Sequence, residues 1–474
     1  MNTSEAKGII EAALLTASAP LTLAAQQIYP ATLTQYSVTV APSDGSVGVL
    51  KIDPVAGKAA PVYSAAGTLT LNAGEIDDAG TLRAPFGTIT LNAPTVNLLS
   101  GSVTSVSGAG VTVPFGQTQG GLSWIFPVNS SLLQVYGTAA GNVLPPSKTV
   151  AINSANLNLA HGATIDVSGG GDLQAIEFTS GLGGTRDVLS NLVSPGLYAV
   201  IPGMQLPAAP YDPISSQGFL PGVGSSVFLA GGNGLPAGVY TLLPARYALL
   251  PGAYLVQSVA GFTDISPNAP QTQLDGGVVM AGYNTVGTTG LGGTRHTGFL
   301  VTPGAYALKL ANYTTTSADS FFAAQAAAAG LAKPQLPMDA GSVSIAATVS
   351  ALLDGHIDGS HTGSGSRGSA LDLSSTFTYV GTAADAPAGY VVLDPNQLNS
   401  IGADSILIGG TRTATAAGSQ VNVGADTVEV GAGATLTGNE VLLVAGSNVL
   451  LRSEEHTSEL QSLTNLVCRL LLEK

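Results

Sequence analysis

The residues best placed to do chemistry lie in the stretch LLDGHIDGSHTGSGSRGSALDLSS, residues 352–375. It brings Asp354, Asp358 and Asp372 close in sequence to His356, His361 and Arg367. Carboxylates clustered on one face of a strand could serve acid–base work on a sugar chain or hold calcium. Asp and His two positions apart on a strand face the same side. A plainer account fits these residue types as well. Asp354, Asp358 and the neighbouring glycines suit turns, because Asp hydrogen-bonds its own backbone there. Asp166 in Ile-Asp-Val-Ser has the same setting as Asp372 in Leu-Asp-Leu-Ser, and a recurrence of that kind predicts rung corners rather than catalysis.

Gly-Gly-Thr-Arg occurs three times, at residues 183–186, 292–295 and 409–412. Glycine-rich turns can aim backbone N–H groups at an anion with Arg assisting. No strand–loop–helix context accompanies them, so turns are expected rather than a nucleotide site. No Gly-x-Ser-x-Gly elbow appears in a strand-to-helix setting. Trp124 and the tyrosines could stack on sugars, but Tyr240, Tyr247 and Tyr254, seven residues apart beside prolines, predict packing. The sequence therefore predicts no catalytic, cofactor-binding or metal-binding residues, and no enzyme.

The elements that would carry these residues follow from composition. Only 9% of the 474 residues are charged while 61 are glycine, which suits an all-β chain with many turns and a neutral polar surface. The net charge of −14 and the scattered basic residues argue against nucleic acid. The single cysteine, Cys468, excludes a disulfide framework. No apolar run is long enough to predict a membrane-spanning helix. The first 25 residues superficially resemble a signal peptide, but Glu5 offsets Lys7 and Glu11 interrupts the apolar stretch. An export signal upstream of this sequence is expected instead.

Gly67-Thr68-Leu69-Thr70-Leu71-Asn72-Ala73 returns as Gly87-Thr88-Ile89-Thr90-Leu91-Asn92-Ala93. Each copy alternates apolar and polar residues, the period of a strand with one buried face. Strands recurring about every 20 residues bury that face only by stacking successive copies in parallel, which predicts a parallel β-helix. The pattern predicts further rungs at 48–53, 110–113, 155–159, 164–168, 342–346, 370–374, 420–423, 427–430, 434–437 and 440–443. From about 192 to 310 prolines multiply and the pattern fades. There the unit Leu-Pro, small residue, Tyr, apolar pair repeats through 235–256 and again, with Thr in place of Leu, at 302–308. Short antiparallel strands joined by proline turns are expected, as an insertion standing off the stack. One helix is predicted over 318–331, capped by Ser317 and ended by Gly330 and Pro334.

GTLTLNA, ATIDVSGGG, LPAGVYTLLPARYALLPGAYLV and SILIGGTRT together resemble large exoproteins of the filamentous-haemagglutinin kind, over residues 24–451. The resemblance implies a right-handed β-helix, export through an outer-membrane two-partner-secretion transporter, and a place in adhesion or cell contact. It carries over no residue-level site. The expected organisation is β-helix rungs over 1–191, a compact Pro/Tyr-rich β insertion over 192–316, a short helix and linker over 317–334, rungs over 335–451, and a tail over 452–474. That tail, RSEEHTSELQSLTNLVCRLLLEK, resembles translated sequencing-adapter read-through, and its apolar residues repeat at helical spacing. The expected function is a structural segment of a secreted or cell-surface protein, with a host or neighbouring-cell receptor or glycan as partner. A secreted β-helix polysaccharide lyase or hydrolase and an autotransporter passenger are the alternatives.

Overall fold

The computed structural model describes residues 11–57, 59–128, 133–138, 141–182, 184–190, 193–204, 209–210, 222–274, 276–286, 291–293, 295–361, 363–415, 418–452, 457–460 and 466–470. The chain is all-β and β-helix-like, with a long parallel sheet along its stem. Thr68–Asn72 lies parallel to Thr88–Asn92 with Leu69 on Ile89, Leu71 on Leu91 and Asn72 on Asn92, the register the repeat predicts. The same face continues through Thr149–Leu159, Ser342–Leu353, Ala370–Ser374, Ser405–Ile408 and Glu440–Ala445. Inward residues stack in columns. One runs Leu69, Ile89, Val150, Val343, Leu371, Ile406, Val441, each nearly inaccessible to solvent. Burial of each such side chain contributes about 1.5–3 kcal/mol. They belong to one apolar cluster reaching from Val38 to Val449.

Each turn of the stem places strands on more than one face. After Thr68–Asn72 the chain bends into Glu75–Asp78 and then Thr81–Arg83, which pair with Thr95–Leu98 and Val103–Ser105 of the next turn. Corners are tight. A Cβ on Gly87 would meet the carbonyl oxygen of Gly67 at 2.2 Å. One position earlier, Leu33, Ala66 and Phe86 stand in register with φ of 53°, 57° and 51°. A column of left-handed non-glycine residues is costly and persists because packing over-determines it; Phe86 is fully buried.

Several predicted rungs lie elsewhere. Thr112–Pro114 pairs not with the long sheet but with Asp172–Phe178. Val103–Ser105 already occupies a further face, so residue 112 arrives one face late. From Asn92 the next turn of the long sheet is 61 residues on, at Asn153, and from Thr149 the one after it is 193 residues on, at Ser342. Gly418–Val423 forms an antiparallel hairpin with Gly410–Thr415 rather than a rung, and residues 434–437 form no strand. Alternation alone does not say which strand is the neighbour.

The region between Leu197 and Pro303 folds into an eight-stranded antiparallel sheet with its own core, including Val227, Leu229, Val256 and Val301. The Tyr–Pro phrase is not all strand. Ala245–Leu249 is a 3₁₀ helix and Gly304–Ala307 a single α-helical turn. Pro244 and Pro303 precede them with φ of −49° and −58°, which pre-sets entry into a helical turn. The helix Ala318–Ala329 forms where predicted and ends at Gly330 with φ of 64°. Ser317 stands at its N-cap, but its hydroxyl does not cap; the first N–H groups of the helix instead favour the charged form of the nearby Asp172 carboxylate. A helix at Pro395–Ile401 was not expected. Its signals are ordinary: Asp394 accepts from the Asn396 N–H, proline opens the first turn, and Gly402 closes it with φ of 66°.

The tail differs from its helical spacing. Thr457–Leu460 and Leu466–Leu470 are strands, antiparallel to Asn448–Arg452 and Glu440–Ala445. The last turn of a stack offers unpaired edge groups, and pairing there competes with helix formation. Among the described residues no helix is long and apolar enough to cross a membrane.

Candidate functional site

The acid and histidine stretch does not gather into one site. Thr164–Asp166 and His356–Asp358 are parallel neighbours, so Asp358 stands on Asp166, which stands on Ser105. These carboxylates tie corners. Asp166 accepts from the Ser105 hydroxyl at 2.7 Å, the Ser168 hydroxyl at 2.7 Å and the Ser168 N–H at 3.0 Å. Asp358 accepts from the Ser360 N–H at 2.9 Å. Partial burial works to raise Asp358, but Ser360 and nearby His356 outweigh it and hold its carboxyl below the usual range. Asp354, His356 and His361 are exposed.

Asp372 does not match Asp166 as its sequence context suggests. It belongs to the long sheet, between Ser344 and Leu407. It is buried and held by Arg412 of the third Gly-Gly-Thr-Arg copy: Nη2 at 2.6 Å, Nε at 2.7 Å and the backbone N–H at 2.6 Å. Arg412 also reaches the Ser405 hydroxyl at 2.6 Å. This copy is therefore a strand anchored by its own arginine, not a turn that receives an anion. Arg295 of the second copy is exposed, 3.8 Å from Asp264. Gly183 of the first copy and Thr294 of the second lie outside the described residues.

A buried charged cluster escaped the sequence reading. Lys148 is 1% exposed, with Nζ donating to the carbonyls of Pro337 at 2.7 Å, Ser168 at 3.4 Å and Asp339. Burial pulls its ammonium down to about 8, although Asp339, Asp319 and Asp166 pull the other way. Asp339, also buried, takes Arg367 at 2.7 Å. Burial pushes Asp319 up to about 6, with Asp172 and Asp339 adding repulsion against the pull of the Met338 N–H and Lys148. These bonds of the Lys148 ammonium go to backbone carbonyls of segments far apart in sequence, so it ties a junction; a lone lysine gives no signal of that. Among the described residues, no three His, Cys, Asp or Glu side chains gather as a metal site would require.

A concavity lies elsewhere. A cleft of about 550 Å³ opens where the side sheet meets the stem, lined by Leu250–Tyr254, residues 303–305, Leu308, Asp172, Gln174 and residues 315–317. Its walls are the two proline-glycine-alanine copies of the Tyr–Pro phrase. Burial raises the Asp172 carboxyl against the opposing pull of the Ser317 hydroxyl and the N–H groups of Leu173, Asp319 and Ala318. Trp124 and Tyr247 are buried and offer no ring face to a sugar; Trp124 packs 5.2 Å from Phe322. Tyr254 is half-buried and lines the cleft.

Comparison with family models, curated proteins and solved structures returned no match.

Proposed function

We propose that this chain is a structural segment of a large secreted exoprotein at the bacterial cell surface, an adhesin shaft or contact-delivery stalk wound as a right-handed solenoid. The observation that supports this most is the column from Leu69 to Val441, in which turn after turn returns in parallel to the same face. Such a stack lengthens by adding turns that contact only their neighbours, which suits a rigid spacer. The resemblance to filamentous-haemagglutinin-like exoproteins supplies the rest of the reading: export through an outer-membrane two-partner-secretion transporter and a receptor or glycan on a host or neighbouring cell. Residues 452–474 stand outside it as translated adapter read-through, which resequencing of the source locus tests.

An epitope inserted at Gly110, an exposed turn residue, tests the reading in the parent protein. Intact cells should label, and labelling should vanish when the transporter is inactivated. Retention inside the cell, or labelling indifferent to the transporter, contradicts it. Polysaccharide turnover that disappears in Asp358→Ala would contradict the non-enzymatic part.

A further inference from the structure

The cleft beside the side sheet sorts its lining by chemistry. Leu250, Pro251, Ala253, Pro303, Ala305 and Leu308 make an apolar wall. Gln174 and its strand neighbours Thr315 and Ser317, which share one face, add an amide and two hydroxyl groups. Among the described residues no lysine, arginine or histidine lines it, so a phosphate, sulfate or uronate would enter without a counter-charge. Asp172, the only carboxylate among the described lining residues, already accepts the Leu173 N–H at 2.8 Å and is held by the nearby Ser317 hydroxyl and the start of the helix Ala318–Ala329. A cationic ligand would have to compete with those bonds. The volume is within the range of ligand pockets, about 300–1,000 Å³.

A ligand suited to this lining is uncharged, has an apolar face and carries several hydroxyl groups. We propose that the cleft binds a short neutral oligosaccharide, its ring faces against the proline–alanine wall and its hydroxyls toward Gln174, Thr315 and Ser317. This deepens the surface-exoprotein reading by naming a ligand class and where it binds. It stands or falls separately, because transporter-dependent export needs no sugar and sugar binding needs no export.

The test uses the full chain with maltotriose, cellotriose, chitotriose and mannotriose, followed by saturation-transfer NMR and calorimetry. A galacturonate trimer and an extended neutral hexapeptide serve as rival probes. At least one neutral trisaccharide should bind saturably. Ala305→Trp fills the cleft from an exposed position and should weaken binding at least about tenfold, with the melting curve unchanged. Thr315→Val, an exposed change of one hydroxyl for methyl, should weaken it several-fold and keeps the test valid if the tryptophan disturbs folding. Binding by none of the four sugars, preference for the uronate or the peptide, or equal affinity in Ala305→Trp (in Thr315→Val, should the tryptophan variant misfold) would overturn the proposal.

Discussion

Arg412 grips the carboxylate of Asp372 from across 40 residues, using its side chain and its own backbone N–H together. The bond fixes the hairpin Gly410–Thr415 and Gly418–Val423 against the strand Ala370–Ser374. Removing one partner of a buried pair strands the other charge. Arg412→Ala should therefore destabilise the chain by about 3–5 kcal/mol. Arg412→Met combined with Asp372→Leu should recover most of that loss, since no buried charge is left unpaired. Arg295→Ala, in the exposed second copy of the motif, should leave denaturant midpoints unchanged. Equal effects at the two arginines would contradict this assignment of roles.

Asn92 links three turns. It donates to Asn72 at 2.9 Å and accepts from Asn153 at 2.8 Å. Asn92→Ala removes both bonds and should cost about 1–2 kcal/mol. Asn153→Ala removes a single bond of this ladder, at its more exposed end, and should cost about half as much. Chemical unfolding of the two variants side by side reads the difference. A larger loss at Asn153 would mean that the ladder is not what the asparagines contribute.

Asp78 faces inward on the strand Glu75–Asp78, between Ile52 and Leu98. One carboxylate oxygen accepts the Gly80 N–H at 2.9 Å and the other has no hydrogen-bond partner. Burial pushes its carboxyl up to about 7, against the pull of Gly80. The folded state thus holds the proton more tightly than the unfolded state. Its stabilising contribution is complete below the ordinary carboxylate range and is lost as pH rises through about 7. Stability should fall between about pH 4 and pH 7, with Asp319 adding a smaller effect of the same sign. Asp78→Asn should flatten most of that slope and raise the melting temperature at neutral pH. A variant as pH-sensitive as the parent would refute the assignment.

What could be read from the sequence follows physical range. The 20-residue repeat at Leu69 and Ile89 encodes both strand and neighbour, because the turn between them is short and its corner glycines are forced. Val150 and Val343 carry the same alternation, but long detours precede each and nothing local names their partners. Gly418–Val423 alternates like a rung and pairs as a hairpin, since the period of a strand is the same in either sheet. Asp166 and Asp358 as corner ties were foreshadowed by turn chemistry, whereas their neighbour Ser105 was not. Lys148, Asp339 and Arg367 were not, since their contacts join segments that only the fold brings together. The cleft walls were visible as a repeated phrase, but not as walls.

The shaft reading rests on in-register parallel turns, and a disulfide trap tests that directly. Thr70 and Thr90 are paired neighbours on the half-exposed face. Cysteines there, in a Cys468→Ser background, should lie within the roughly 4.4–6.8 Å Cα separation that a disulfide spans. Thr68 and Asn92 are the pair an antiparallel arrangement would bring together; in the parallel register they are four residues apart, more than about 12 Å. The account predicts rapid, near-complete oxidation of Thr70→Cys/Thr90→Cys and little in Thr68→Cys/Asn92→Cys. The reverse pattern, or equal cross-linking of both pairs, would contradict the stacked parallel shaft.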